Sequence, residues 1–145
     1  MDPLSYSVTL EVRDHCLCLY LQRAARAEAR RFDEALRPHG LTNGQFSLLM
    51  SLNRPEPAGL GAVAALLAMD RTTLTANLKP LERRGLVRSV ADPEDARRRR
   101  LCLTAAGRRR LAAALPAWRR AEEATEALVG EADAKRLRAL LAALS

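Results

Sequence analysis

The sequence predicts a mainly α-helical fold that carries one small β-hairpin, and three observations point there. Apolar residues make up 48% of the chain, but Ala and Leu dominate them, and the aromatics are only Tyr6, Tyr20, Phe32, Phe46 and Trp118. That mix favours helix, because Ala, Leu, Arg and Glu are strong helix formers. Apolar residues also recur three and four positions apart over most of the length, the period of one helix face. By contrast, Leu86-Val87-Arg88-Ser89-Val90 and Arg100-Leu101-Cys102-Leu103 break that period and flank a polar stretch, ADPEDARRR, containing Pro93. They read as two short strands joined by an exposed loop.

The elements follow in order. A first helix is predicted from about Asp14 to Leu36, with a stripe of Leu17, Leu21, Ala24, Ala25, Phe32 and Leu36. Pro38 disfavours helix at Arg37, and Gly40 suits a left-handed exit. A helix of about 23 residues is roughly 35 Å long, and its stripe calls for a partner surface. Thr42-Asn43-Gly44-Gln45 is a capping box opening a short helix through Phe46, Leu48, Leu49 and Leu52. Pro55, Pro57 and Gly59 mark a turn, and residues 60–68 form a compact apolar helix with Val63, Leu66 and Leu67. Asp70 caps a helix over about 71–84, which Gly85 closes. After the hairpin, Thr104 caps a long helix to about Val129, kinked at Pro116. Gly130 breaks it, and residues 131–144 form a last helix with Leu137, Leu140, Leu141 and Leu144. The order is four helices, a hairpin and two helices.

At 145 residues the chain is one ordinary domain with room for a core. No apolar run approaches the roughly 20 residues that span a bilayer. The start, MDPLSYSVTLEVRD, does not read as a signal peptide, and three cysteines argue against a disulfide framework. A cytoplasmic protein with no membrane contact is expected. Its charge is uneven. Residues 71–110 carry twelve Lys/Arg against four Asp/Glu, a net of +8, whereas residues 1–70 carry −1 and residues 111–145 carry zero. Charge concentrated on one helix and one hairpin suggests a polyanionic partner.

At 100° per residue, Leu74, Leu78 and Leu81 define the buried face of the helix after Asp70. The opposite face presents Thr72, Ala76, Lys79 and Arg83, flanked by Thr73 and Thr75, with Arg71 at the start. Short hydroxyls, a methyl and cations on a slim surface suit the major groove of DNA, about 12 Å wide. Together with the preceding helix this is a helix-turn-helix. Pro80 should bend its second half. Arg97, Arg98, Arg99 and Arg100 then read as a wing reaching the flanking phosphates or minor groove. Asp95 is placed to orient the Arg97 guanidinium through a bidentate pair.

DRTTLTANLKPLERRGLV followed by DPEDARRRRLCLTAAG resembles the multiple antibiotic resistance regulator (MarR) family of bacterial transcription factors, along nearly the whole chain. The most specific part is Asp95-x-Arg97 followed by Leu103-Thr104-x-x-Gly107. The resemblance implies a winged helix-turn-helix over residues 42–104, with the recognition helix at about 71–84 and the wing at about 86–103. Residues 1–41 and 105–145 would form the dimerisation region of a homodimer. Arg97 would enter the minor groove, supported by Asp95. Two recognition helices would lie about one DNA turn apart, roughly 34 Å, over a pseudopalindrome. It further implies a pocket for a small-molecule effector between the dimerisation helices and the winged helix, with Phe46, Met50 and Trp118 as candidate lining.

LCLYL, near the start of the first helix, resembles the organic hydroperoxide resistance branch of the family. Counting back from Gly40-Leu41-Thr42, Cys18 falls at that branch's peroxide-sensing position, with Cys16 two residues away. The branch's tyrosine partners correspond here to Asn43 and Phe46. Buried cysteine on an interface helix is the other reading of Cys18. On one helix the two thiols would point about 200° apart and could not bridge. Cys102 reads as an incidental strand residue and His39 as a turn residue. No phosphate-cradling glycine motif, metal-spaced cluster or acid–base pair is present, so neither cofactor, metal nor enzyme activity is expected. The expectation is a DNA-binding regulator released from an operator by a small ligand or oxidant and associated with the nucleoid when bound. A nonspecific or architectural nucleic-acid binder and a winged-helix protein-interaction module remain open.

Overall fold

Side-chain caps open three of the helices, and positive-φ glycines stand at three further boundaries, in the computed structural model, which describes residues 3–145. Helix α1 (Tyr6–His15) is followed by α2 (Leu17–Leu36). The single first helix expected from Asp14 is therefore two, hinged at Cys16, whose ψ of 102° leaves the helical region. The Cys16 N–H still donates to the Val12 carbonyl (3.0 Å), and its own carbonyl accepts from the Tyr20 N–H (3.2 Å). The early turns were hidden because Tyr6, Val8, Leu10 and Val12 recur every second residue, a strand-like period.

A short 3-10 turn over Arg37–His39 ends at Gly40, with φ of 68°. The Thr42–Gln45 capping box forms with both of its hydrogen bonds and opens α3 (Asn43–Ser51). The stretch read as a simple turn also contributes a strand, β1 (Ala58–Gly59), ahead of α4 (Leu60–Leu66). Two residues are too few to show an alternating pattern. Asp70 opens α5 (Arg71–Arg83), which continues through Pro80, and Gly85 (φ 70°) follows its end. Strands β2 (Val87–Ala91) and β3 (Arg99–Leu103) form the hairpin, in register Val87 with Leu103 and Ala91 with Arg99. With β1 opposite β3 the hairpin becomes a three-stranded antiparallel sheet, order β1-β3-β2. Helix α6 (Ala105–Val129) runs through Pro116, and α7 (Glu131–Ala142) follows Gly130. No helix among the described residues is long and apolar enough to cross a membrane.

The core sits at one end. Leu36, Leu49, Val63, Leu74 and Leu81 are fully buried there, with Leu86, Val87, Leu101 and Leu103 from the sheet and Leu111 and Ala114 from α6. Gly107 allows α6 to lie directly on the start of β2, since a Cβ there would stand 2.0 Å from the Leu86 carbonyl oxygen. Thr104 closes the same corner: its hydroxyl donates to Gly85 O (2.5 Å) and accepts from Gly107 N–H (3.0 Å). The other end is uncovered, with Leu17, Leu128 and Leu144 each more than 60% exposed.

Candidate nucleic-acid interface

The two faces of α5 divide as the sequence predicts. Leu74, Leu78 and Leu81 are buried, while Arg71, Thr72, Thr73, Thr75, Ala76, Lys79 and Arg83 are exposed. The threonines are not equivalent. Thr73 donates both its N–H and its hydroxyl to the Asp70 carboxylate, each at 2.8 Å, and Thr75 donates its hydroxyl to Arg71 O, also at 2.8 Å. Among the described residues of that face, only the Thr72 hydroxyl of the three threonines has no hydrogen-bond partner. The Asp70 carboxyl is held below the usual range, first by the Thr73 N–H.

The wing corrects one expectation and reveals a residue the sequence reading passed over. Asp95 makes no bidentate pair with the Arg97 guanidinium. One of its oxygens accepts the Arg97 backbone N–H (3.0 Å), and the other lies 3.8 Å from Arg98 Nε. A two-residue offset closes an Asx turn, in which the carboxylate serves the main chain. The Arg97 side chain is exposed and has no ion pair among the described residues. Asp92 forms the firmer wing contact, accepting from Glu94 N–H (2.9 Å) and from Arg100 Nε (3.1 Å). These contacts, the Glu94 N–H foremost, hold its carboxyl below the usual range. Its signal in the sequence was its place immediately after the last residue of β2, facing the paired strand. Arg99 reaches across the hairpin to Ser89, donating to its hydroxyl (3.0 Å) and its carbonyl (3.1 Å).

The helix and the wing share one cleft of about 590 Å³, whose walls include Gly59, Gly61, Arg71, Arg97, Arg98 and Arg99. Asp92 is the acid in that wall, and Arg100 neutralises it. Three further arginines of residues 71–110 turn inward. Arg84 donates to Gly40 O (2.7 Å), Arg110 to His39 O (3.0 Å) and Arg108 to Asn53 Oδ1 (3.1 Å).

Phe46, Met50 and Trp118 line one pocket of about 430 Å³, and the Phe46 and Trp118 rings stack with centroids 6.0 Å apart. Cys18 is exposed, and its sulfur accepts from the Gln22 amide at 3.3 Å. Cys16 occupies the hinge, so the pair does not share one continuous helix and the 200° argument no longer applies. All three cysteines are free.

Over residues 41–98 the chain matches the model of the MarR family. It is 42% identical to the transcriptional regulator MosR of M. tuberculosis, solved in complex with DNA, over 88% of this chain and 93% of that one (TM-score 0.78). This chain belongs to the MarR family. CouR, a transcriptional repressor solved on a 23-mer DNA duplex, is 30% identical over 92% of this chain and 94% of that one (TM-score 0.82). The regulator SarZ of Staphylococcus haemolyticus is 29% identical over 91 residues, 63% of this chain and 62% of SarZ. The chain spans about half to three fifths of the length of the curated relatives it matches.

Proposed function

We propose that this chain is a sequence-specific, double-stranded-DNA-binding transcriptional regulator that works as a homodimer. It represses from a pseudopalindromic operator and leaves it when a small molecule binds. One observation carries the reading: Arg71 of the recognition helix and Arg97–Arg99 of the wing open onto a single cleft beside the exposed threonine face. Such a surface meets base edges with α5 and the flanking backbone or minor groove with the wing. Residues 42–104 form the DNA-binding unit. Residues 1–41 and 105–145 form the dimerisation region, a role supported by the exposed leucines of α2, α6 and α7. The protein acts in the cytoplasm, at the nucleoid when bound.

The deciding measurement compares a palindromic operator, found by footprinting, with random duplex. A specific regulator prefers its site by at least ~10³-fold, and both modes weaken as salt rises. Equal affinity for the two duplexes would leave the architectural reading. Unchanged DNA affinity in Arg97→Ala would favour a protein partner. The oxidant arm rests on the exposed Cys18, and requires that peroxide-driven release vanish in Cys18→Ser.

A further inference from the structure

We propose that the corner where α2 meets α3 binds a phosphate-type oxyanion between the guanidinium groups of Arg84 and Arg110. The two side chains come from different elements, the end of α5 and the second turn of α6, and converge on the left-handed Gly40. Arg84 Nη2 donates to Gly40 O (2.7 Å) and Arg110 Nη1 to His39 O (3.0 Å). A Cβ on residue 40 would stand 3.2 Å from the first nitrogen and 2.7 Å from the second, so the two nitrogens lie no more than about 6 Å apart. At that separation two N–H···O bonds of about 2.9 Å can end on one oxygen, or on two oxygens of one tetrahedral group. Glycine leaves the approach free, since any side chain there would press on Arg110 Nη1.

Like charges this close repel, and an acid between them would relieve the repulsion. None does so here, because the ion pairs among the described residues include neither arginine. The acids nearest in sequence are engaged elsewhere or exposed. Asp33 accepts from the Asn43 N–H (2.7 Å) and the Asn43 side-chain amide (2.8 Å), while Glu34 and Glu82 face solvent. The two backbone carbonyls carry only partial charge, and each occupies one N–H of a guanidinium that has five. Arg37 and His39 add basic residues to the same turn. Arg84 is exposed and Arg110 half-buried, so an anion arriving from solvent meets a cation already partly withdrawn from water. Charge-assisted bonds are strongest in such a place. A phosphate group, with several oxygens in a fixed tetrahedron, suits two forked planar donors, whereas chloride offers one point of contact.

Side-chain NMR of the full chain, following the arginine Nε–H signals as inorganic phosphate replaces chloride at constant ionic strength, reads each guanidinium separately. The Arg84 and Arg110 signals are expected to move together along one saturation curve, while that of the exposed Arg136 stays in place. Arg84→Gln keeps a donor for Gly40 O and removes the charge. It should weaken phosphate binding, read at Arg110, by at least about tenfold, the size of one charge-assisted bond. Arg84→Lys restores the charge and should recover most of that loss. If Arg84→Gln does not fold, Arg110→Gln read at Arg84 tests the same pairing. No movement in phosphate, equal movement in chloride, an unchanged Arg110 response in Arg84→Gln, or a lysine variant as weak as the glutamine one overturns the proposal. Movement caused by a random DNA duplex and not by free phosphate also overturns it, and gives the corner to the DNA backbone instead.

Discussion

Replacing Gly107 by alanine should destabilise the protein, although helix propensity alone says the opposite. Gly107 lies in the first turn of α6, and in a free helix Gly→Ala gains up to about 1 kcal/mol. Here the added Cβ would stand 2.0 Å from the Leu86 carbonyl oxygen, against the 3.0 Å that real Cβ contacts respect. That oxygen is backbone held in a strand start, so the start of α6 must move away by about an ångström. The movement loosens the Thr104 N–H bond to Leu86 O (3.1 Å) and the Thr104 hydroxyl bond to Gly85 O (2.5 Å). Each such bond contributes about 0.5–1.5 kcal/mol net, and overpacking adds about 1–3 kcal/mol. After subtracting the propensity gain, the expected loss is about 1–5 kcal/mol, set against a typical total of 5–15 kcal/mol. Urea unfolding followed by far-UV circular dichroism, at fixed protein concentration, reads it directly. Gly44→Ala is the control, because a Cβ there has nothing within 4 Å and should be neutral or mildly stabilising. A Gly107→Ala protein as stable as the wild type would refute the close-approach argument.

Four further outcomes follow from the same geometry. Asp70, Asp33 and Asp92 all have carboxyls held below the ordinary range, so their contribution is present above about pH 3.9 and disappears as acid protonates them. Asp70→Asn, which can still cap α5, should flatten part of that acid-side loss in thermal melts. Arg97→Ala should cost about 1–3 kcal/mol of operator affinity and reduce the salt slope, while leaving the melting temperature unchanged. Arg84→Ala removes a charge-assisted bond to Gly40 O, so it should lower both stability and operator affinity although it lies outside the groove-facing surface. Because Arg84, Arg100, Arg108 and Arg110 are engaged internally, the slope of log affinity against log salt for a dimer should not exceed about 14, at about 0.9 per remaining cation of residues 71–110.

Wherever one residue's chemistry decides the local structure, the sequence was readable. Thr42, Asp70 and Thr104 cap the helices they were expected to cap, and Gly40 and Gly85 adopt the positive φ their positions required. The division of α5 into faces was legible for the same reason, since 100° per residue admits one solution. What escaped depended on contacts across the fold. β1 exists only because Ala58 and Gly59 find Leu101 and Arg100. The hinge at Cys16 follows no local breaker, being neither Gly nor Pro, and α1 is amphipathic only weakly. The partner of Arg100 could not be read from spacing alone, because the loop over residues 93–98 is what returns Asp92 to it.

The cations of residues 71–110 thus divide into an outward and an inward set, and the inward set would bear on the proposed regulation. Arg84, just past the recognition helix, and Arg110, in α6, hold the adjacent carbonyls of Gly40 and His39. That corner joins α2 to α3, the two helices that supply Asp33, Asn43, Phe46 and Ser47 to the cavity beside Trp118 and its rim. A ligand can shift DNA affinity only by binding one arrangement of the recognition helices better than another. In this chain the path for such a preference is short. A molecule entering beside Phe46 and Trp118 would press on α3; α3 is anchored to α2 through Asp33, and the Arg84 guanidinium ties the α2–α3 corner to the end of α5, the helix proposed to enter the groove. Breaking that last bond should therefore weaken the effect of ligand on DNA binding more than it weakens ligand binding itself.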